Sequence, residues 1–271
     1  MQTFFRRQIA LPQEHGAWVF LLSPLLIGLF VGNAFHIGSI FLVMAAISAF
    51  LIRQPVTIAV KAGSGRRPKS DLPAAAFWIA LYGFLLLLAI GGLLYLGYTS
   101  ILLLALPAGP VFGWHLWLVS RREERRQAGV EILATGVLAL SAPAAFWIGR
   151  QAYDPLGWIL WILTWFQSAA SIVYAYLRLE QRNWLAVPHG FNRLRAGWRA
   201  LAYTGFNLVF SASLGAIGLT PPLIFLPYLL QFSETAWGTL NPALGARPVA
   251  IGVRQLIISS LFTALFIAGW R

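Results

Sequence analysis

The chain has 271 residues, of which 59% are hydrophobic and 10% are charged, and its mean hydropathy is +0.72. Soluble domains carry about 25% charged residues, so this composition excludes an ordinary soluble fold and predicts a multi-pass membrane protein. A net charge of +12 would suggest nucleic-acid binding in a soluble chain, but here it indicates basic cytoplasmic loops, and we expect no nucleic-acid partner. The absence of cysteine excludes disulfides, thiolate metal sites and cysteine nucleophiles.

Nine apolar runs of membrane-spanning length follow one another along the chain. They lie at about 17–34, 38–60, 75–97, 99–119, 130–149, 156–177, 200–219, 221–240 and 251–270. The only break between the seventh and eighth runs is Thr220-Pro221-Pro222. The runs predict an all-α fold: a single domain over residues 1–271, built as a polytopic transmembrane bundle of about nine helices.

Basic residues predict how this bundle sits in the membrane. With the N-terminus inside and nine spans, all 20 basic residues except Arg150 and Arg271 fall on the cytoplasmic side. Such a bias supports an N-inside, C-outside protein of the bacterial cytoplasmic (inner) membrane, with membrane lipids as neighbours. Three inside connections, at about 61–74, 120–129 and 178–199, are longer than the outside ones, and longer loops are where function concentrates.

The first candidate residues lie where the first helix enters the membrane, in the segment Leu11–Trp18. Glu14 and His15 form an acid/base or ligand pair at the mouth of a cavity under a functional interpretation. Under a structural interpretation, Glu14 favours the positive end of the helix and Trp18 is an interfacial anchor. Composition alone favours the structural interpretation.

The second helix ends with a cationic face. Arg53, Thr57 and Lys61 are spaced four residues apart, so they share one side of a helix. Arg53 lies before the apolar run has ended, and a cation at that depth must face a polar cavity or snorkel to the surface. The loop that follows, 63–70, is rich in glycine and arginine and suits phosphate groups or anionic lipid headgroups.

A polar stripe runs down the sixth helix towards the cytoplasm. Gln167, Ser171, Tyr174 and Arg178 recur at helical spacing. The seventh helix repeats the pattern with Tyr203, Asn207 and Ser211. These stripes predict that polar groups of several helices converge in the cytoplasmic half of the bundle.

Acidic and imidazole groups inside apolar runs are rarer. The eighth helix carries Glu234 on one face with Gln231, Thr235 and Gly238. A carboxylate at this depth needs either a functional role or a structural partner such as an arginine or histidine of a neighbouring helix. His115, in the fourth helix, is more typical of a hydrogen-bonded packing residue.

Together these residues predict a positively charged cavity that faces the cytoplasm and suits an amphiphile with a phosphate or carboxylate group. The predicted binding residues are Arg53, Thr57, Lys61, Tyr174, Arg178 and Asn207, and the candidate catalytic residues are Glu14, His15 and Glu234.

Two segments resemble a known family. Pro12–Trp18, followed by an apolar helix with Pro24 and Gly28, resembles the start of the YwiC-like proteins of bacteria. Asn241-Pro242 and the segment Arg247–Gln255 are similar to that family's last loop and helix. The likeness implies family membership over the whole chain and no particular reaction.

A more distant resemblance is architectural. Nine helices with a cytoplasm-facing polar cavity also resemble the UbiA-type membrane prenyltransferases, which hold a prenyl diphosphate through Mg²⁺ on two Asp-rich motifs. Here the corresponding segments depart from that pattern. The first, Arg53–Lys61, has no carboxylate before Asp71, and the second, 174–183, has only Glu180. We therefore expect no metal site and no cofactor, and a phosphate-bearing isoprenoid or lipid held directly by cations.

Two other functions remain open on sequence grounds. One is a small-molecule or proton-coupled transporter with Glu234 and His115 as coupling residues, and the other is a non-catalytic membrane scaffold. The sequence leaves the oligomeric state and the choice between enzyme and binding protein open.

Overall fold

A computed structural model describes residues 7–12, 16–121 and 128–270, and every regular element in these ranges is helical. The helices are α1 (Arg7–Ala10), α2 (Ala17–Val31), α3 (Ile37–Gly63), α4 (Leu72–Tyr95), α5 (Ala105–Arg121), α6 (Ala128–Ala139), α7 (Ser141–Arg150), α8 (Leu156–Gln181), α9 (Phe191–Ala216), α10 (Phe225–Leu240) and α11 (Pro248–Trp270), with 3-10 turns at Lys69–Asp71, Thr99–Leu104 and Pro222–Ile224. The predicted all-α class is confirmed.

Six helical segments of the described chain are long and apolar enough to cross a membrane. They are Ile37–Gly63, Lys69–Tyr95, Thr99–Arg121, Ala128–Arg150, Leu156–Gln181 and Pro248–Trp270. The chain is therefore a polytopic helical membrane protein. Helices α2, α9 and α10 coincide with the remaining three predicted runs, but α2 and α10 have only 15 and 16 residues and α9 is more polar. Nine spans and their orientation stay a prediction.

Two of the loops predicted to lie inside are shorter than the sequence suggests. Helix α8 continues to Gln181 and α9 begins at Phe191, so the connection predicted over 178–199 is mostly helical. The ends of these helices carry arginines. An apolar run identified by hydropathy ends at such residues, although the helix itself continues through them. The 61–74 loop shrinks in the same way, because α3 runs to Gly63 and α4 starts at Leu72.

The fifth predicted span is broken at Leu140 into α6 and α7. Pro143 lies in the first turn of α7 and has no backbone N–H to donate to the carbonyl of Ala139, so the helix is weakened at this point. The two pieces still form one candidate span over Ala128–Arg150.

Helix α2 joins the two halves of the chain by packing against α7 and α11. Gly28 and Gly32 allow a close approach, since a Cβ at either position would collide with α7 at Ala142 or Phe146. One buried cluster then combines α2, α7, α8, α10 and α11 through Ile27, Trp147 and Phe262 among others. Helix α8 also contacts α6 and α9, so it lies near the centre of this part of the bundle.

Helices α3, α4 and α5 form a flank that is buried less. Helix α3 packs mainly on α4, and the short α1 seals their contact with Ile9 against Ile58 and Ala74. The Tyr82 hydroxyl donates to the carbonyl of Ala10 at 3.1 Å. The charged and polar groups described next lie outside this flank, between α8, α10 and α11.

Candidate functional site

A seam of buried polar side chains joins α8 to α10. Gln167, Ser171, Tyr174 and Arg178 are all buried on α8, in the stripe that the sequence predicts. Gln231 of α10 donates through Nε2 to the carbonyl of Gln167 and to the hydroxyl of Ser171, both at 3.0 Å. The polar faces of the two helices therefore point at each other and are joined by hydrogen bonds at membrane depth.

Glu234 is the acidic centre of this seam, with a side chain only 8% exposed. Arg254 of α11 pairs with it bidentately: Nε lies 2.6 Å from Oε1 and Nη2 lies 2.7 Å from Oε2. The Tyr174 hydroxyl donates to Oε1 at 2.9 Å. Two N–H groups and one O–H thus stabilise the buried carboxylate, and three helices are joined through one residue.

Arg254 is held from its other side by an aromatic ring. Its guanidinium carbon lies 3.7 Å from the centroid of the Trp237 ring, a close cation–π contact. The Arg254 side chain is 42% exposed, in contrast to its partner Glu234. No hydrogen bond of Nη1 occurs among the described residues, so this end of the guanidinium can still bind an anion.

Arg178 binds backbone carbonyls at the C-terminal end of α10. Its Nη1 donates to the carbonyls of Gly238 and Asn241 at 2.7 and 2.8 Å, and to Oε1 of Gln181 at 2.9 Å. The last carbonyls of a helix lack partners within it and carry partial negative charge, so a buried cation is favourable there. The contact also places the C-terminal ends of α8 and α10 on one side of the bundle, as the alternation of nine spans requires.

An apolar cavity of about 680 Å³ lies beside the seam, between α2, α6, α8 and α11. Its residues come from those ends of the four helices that the topology prediction puts on the cytoplasmic side. They are Gly16, Val19, Phe20, Glu131, Ile172, Ala175, Tyr176, Leu179, Val249, Gly252, Val253, Gln255, Leu256 and Ser259. At its edge the Tyr176 hydroxyl donates to Glu131 Oε1 at 2.7 Å.

A smaller cationic cavity of about 220 Å³ adjoins the apolar one. Its walls include Tyr174, Arg178 and Arg254, and Gln255 is common to both cavities. Arg254 also borders an open groove of about 840 Å³ along α11 that contains Arg247. An apolar space therefore lies directly beside two guanidinium groups.

The structure brings together only part of the predicted binding set. Tyr174, Arg178 and Glu234 meet, whereas Arg53, Thr57 and Lys61 lie on α3, which supplies no wall to the cavities described above. Arg53 lies 5.6 Å from the ring centroid of Phe50, with a roughly half-buried environment. These three residues stay a sequence-based prediction without a place in the α8–α11 cavity.

Four further candidates have other settings. Asn207 is buried and donates to the carbonyl of Phe166 at 2.8 Å, which ties α9 to α8. His115 lies in α5, which lines none of these cavities. Glu14 and His15 fall outside the described residues, and Gly16, the next residue in sequence, lines the apolar cavity.

The loop after α3 is anchored to its surroundings. Arg66 donates to the carbonyl of Val119 at the end of α5, and Arg67 pairs with Asp71 at 3.1 Å. The described residues contain no group of three or more His, Cys, Asp or Glu side chains placed to hold a metal ion. The expectation that no metal binds stays a prediction.

Sequence reasoning assigned no functional role to Arg254 and Gln255, which line the cavities between α8 and α11 in the structure. Arg254 carried a usable signal, because it is a cation inside an apolar run, as Arg53 is. Its pairing with Glu234 is the structural partner that the acidic residue required. Gln255 had no such signal, since a single glutamine is tolerated on many membrane helices.

Comparisons with known proteins point to one family. The family model described as YwiC-like protein matches residues 11–146. The uncharacterised protein YwiC of Bacillus subtilis (strain 168) is 27% identical over 218 residues, which cover 73% of this chain and 83% of that protein. No solved structure matches the chain.

Proposed function

The chain belongs to the YwiC-like family, and we propose that it binds an amphiphile with an anionic headgroup, such as a phosphate-bearing lipid or isoprenoid. The tail occupies the apolar cavity between α2, α6, α8 and α11, and the headgroup lies against Arg254 and Arg178. The observation that carries the proposal is the shared wall at Gln255, which places an apolar cavity beside a cationic one.

The volumes suit such a ligand. Ligand cavities usually span about 300–1,000 Å³ and are mostly apolar with a few polar groups that fix orientation. The apolar cavity, at about 680 Å³, falls in this range, and the cationic one, at about 220 Å³, leaves room for a single compact headgroup. The lipid bilayer supplies amphiphiles at high local concentration on the same side of the bundle.

The charges favour an anion. Arg178 and Arg254 contribute two positive charges and Glu234 contributes one negative charge, so the described groups around the cationic cavity sum to a positive charge. Arg247 adds a further cation in the adjoining groove. Guanidinium groups bind phosphate and carboxylate oxygens through two parallel hydrogen bonds, which gives both strength and direction.

Native mass spectrometry of the protein in mild detergent tests the proposal. Bound species that copurify are recorded first, and hexadecyl phosphate, farnesyl phosphate and neutral hexadecanol are then added. We expect the two phosphates to bind and hexadecanol to bind much more weakly. Prenyl transfer is the finer expectation from the resemblance to UbiA-type enzymes. It is tested by adding a prenyl diphosphate: the acceptor would gain the mass of the prenyl group, and diphosphate would be released.

The variants are chosen to keep the fold. Replacing the ion pair as a unit, Glu234→Gln with Arg254→Gln, removes the cation without leaving a buried carboxylate alone. Loss of the charge-assisted hydrogen bonds should weaken phosphate binding about 10–100-fold. Arg121→Gln is the control, because Arg121 lies at the end of α5, stacked on Trp117, and borders none of these cavities.

Arg53→Gln separates the structural site from the sequence-based one. The cavity geometry predicts unchanged binding in this variant, whereas a pocket that includes Arg53, Thr57 and Lys61 predicts loss. Equal weakening by Arg53→Gln, Arg121→Gln and the double variant would contradict a specific site altogether, since it would mean that the basic residues act only through general surface charge.

A proton-coupled transporter is the second candidate, favoured by the Glu234–Arg254 pair at membrane depth. It predicts that a pH gradient across proteoliposomes drives ligand uptake and that Glu234→Gln abolishes the uptake while phosphate binding persists.

The relative in Bacillus and the bias of basic residues support the bacterial cytoplasmic membrane as the location.

A further inference from the structure

A very small cavity of about 20 Å³ lies at the meeting point of α8, α10 and α11. It touches the seam and the two larger cavities, because Tyr174 borders the cationic one and Gln255 borders both. Its walls are Ser171, Tyr174, Gln231, Glu234, Thr235, Gln255, Ile258 and Ser259. A cavity needs about 10–15 Å³ of this kind of space to hold one water molecule, so there is room for a single oxygen atom.

Two buried polar atoms from these walls have no hydrogen-bond partner in the described part of the chain. They are Oε1 of Gln231 and Nε2 of Gln255. The amide of Gln231, itself more than nine-tenths buried, is oriented by its Nε2, which donates to Gln167 and Ser171. Its Oε1 is therefore left as an acceptor, while Gln255 offers a donor.

We propose that this cavity binds one hydroxyl group, which donates to Gln231 Oε1 and accepts from Gln255 Nε2. Only a group that both donates and accepts satisfies the two atoms, and the volume limits it to one heavy atom. A metal cation could not accept a hydrogen bond from the Gln255 amide. The buried amide groups would otherwise forfeit their hydration without compensation.

The hydroxyl has two sources. It belongs to an ordered water molecule, or it belongs to the headgroup of the amphiphile, and the second case rests on the proposed function. Because Gln255 borders the apolar and the cationic cavities, a hydroxyl next to both an anionic group and an alkyl chain would reach this position. Lysophosphatidic acid has that chemistry, and hexadecyl phosphate lacks the hydroxyl.

The sign of a thermal shift tests whether the site is occupied. Gln255→Met keeps the length of the side chain and removes the donor. If a hydroxyl is bound, the variant loses a hydrogen bond and its Tm should fall by about 2–4 °C. If the cavity is empty, an unpaired buried amide is replaced by an apolar group, and an unchanged or higher Tm would overturn the proposal. Gln255→Leu carries the same expectation should the first variant not fold. Gln8→Met on α1 is the matched control, because the Gln8 side chain is exposed and makes no hydrogen bond among the described residues.

Binding of the two lipids separates the sources. A hydroxyl supplied by the headgroup predicts that the parent binds lysophosphatidic acid about 3–10-fold more tightly than hexadecyl phosphate and that Gln255→Met loses this preference. Equal binding together with the lower Tm identifies the occupant as water. Failure of both lipids to bind contradicts the proposed function, while the thermal shift still decides the hydroxyl site.

Discussion

Removing either member of the Glu234–Arg254 pair should destabilise the protein by unequal amounts. Arg254→Gln leaves a carboxylate that is 8% exposed and whose one remaining partner among the described residues is the Tyr174 hydroxyl, whereas Glu234→Gln leaves an arginine that is 42% exposed and can turn to water. Loss of one partner of a fully buried pair costs about 3–5 kcal/mol. Because Arg254 is partly solvated, we expect about 2–3 kcal/mol for Arg254→Gln and about 1 kcal/mol for Glu234→Gln.

Thermal unfolding in detergent, followed by tryptophan fluorescence, measures this difference. At about 2–4 °C per kcal/mol, Arg254→Gln should lower Tm by about 4–12 °C and Glu234→Gln by about 2–4 °C. The double variant should resemble Glu234→Gln alone, since no buried charge remains. Two results would refute the reasoning. Strictly additive losses would mean that the two side chains do not stabilise each other, and a larger loss for Glu234→Gln would mean that the unpaired arginine costs more than the unpaired carboxylate. Arg121→Gln is the control for loss of a single positive charge.

Three other predictions concern topology, metal and packing. Reporter fusions after Arg271 and within 120–129 should report opposite sides of the membrane, and the same side for both would overturn the count of nine spans. Mg²⁺ alone should leave Tm nearly unchanged, whereas a rise of many degrees at submillimolar Mg²⁺ would reveal a metal site. Gly238→Ala should cost about 1–3 kcal/mol, because the added Cβ overlaps the Tyr174 hydroxyl, while Gly252→Ala, with open space around it, should cost little in the same unfolding assay.

The sequence is informative about the fold because hydrophobic length is a physical requirement of the bilayer. Each predicted run coincides with helical structure, and the turn at Thr220-Pro221-Pro222 is where α9 and α10 separate. The polar faces of α8 and α10 also follow from helical spacing. What hydropathy could not find were the helix ends beyond the membrane, such as the start of α9 at Phe191, since polar helical residues and loop residues look alike on that scale.

The partners within the site were harder to predict than its members. Glu234 and Arg178 could be selected from the sequence because a charged side chain inside an apolar run is costly unless it is paired or functional. The residues that contact these two side chains depend on which helices pack against each other. Helical spacing within one segment does not predict that packing. The assignment of Arg53 and Arg178 to one pocket rested on their depth in the apolar runs and on helical spacing, together with the architectural resemblance, and it stays a prediction. In the structure, the second arginine beside Arg178 is Arg254 of α11.

The division of the site along the chain bears on what family membership can say about function. Of the residues that line the apolar cavity, four fall in the matched range, 11–146: Gly16, Val19, Phe20 and Glu131. They lie at the start of α2 and on α6. Every residue around the cationic cavity lies after that range, on α8, on α11 and on the segment that leads into α11. Family membership, which rests on a match to the first half of the chain, therefore bears on the cavity proposed to hold the tail of the ligand. In the proposed binding mode the headgroup is recognised by Tyr174, Arg178, Glu234 and Arg254, so relatives that keep the first half but change these four residues should bind a different headgroup or none.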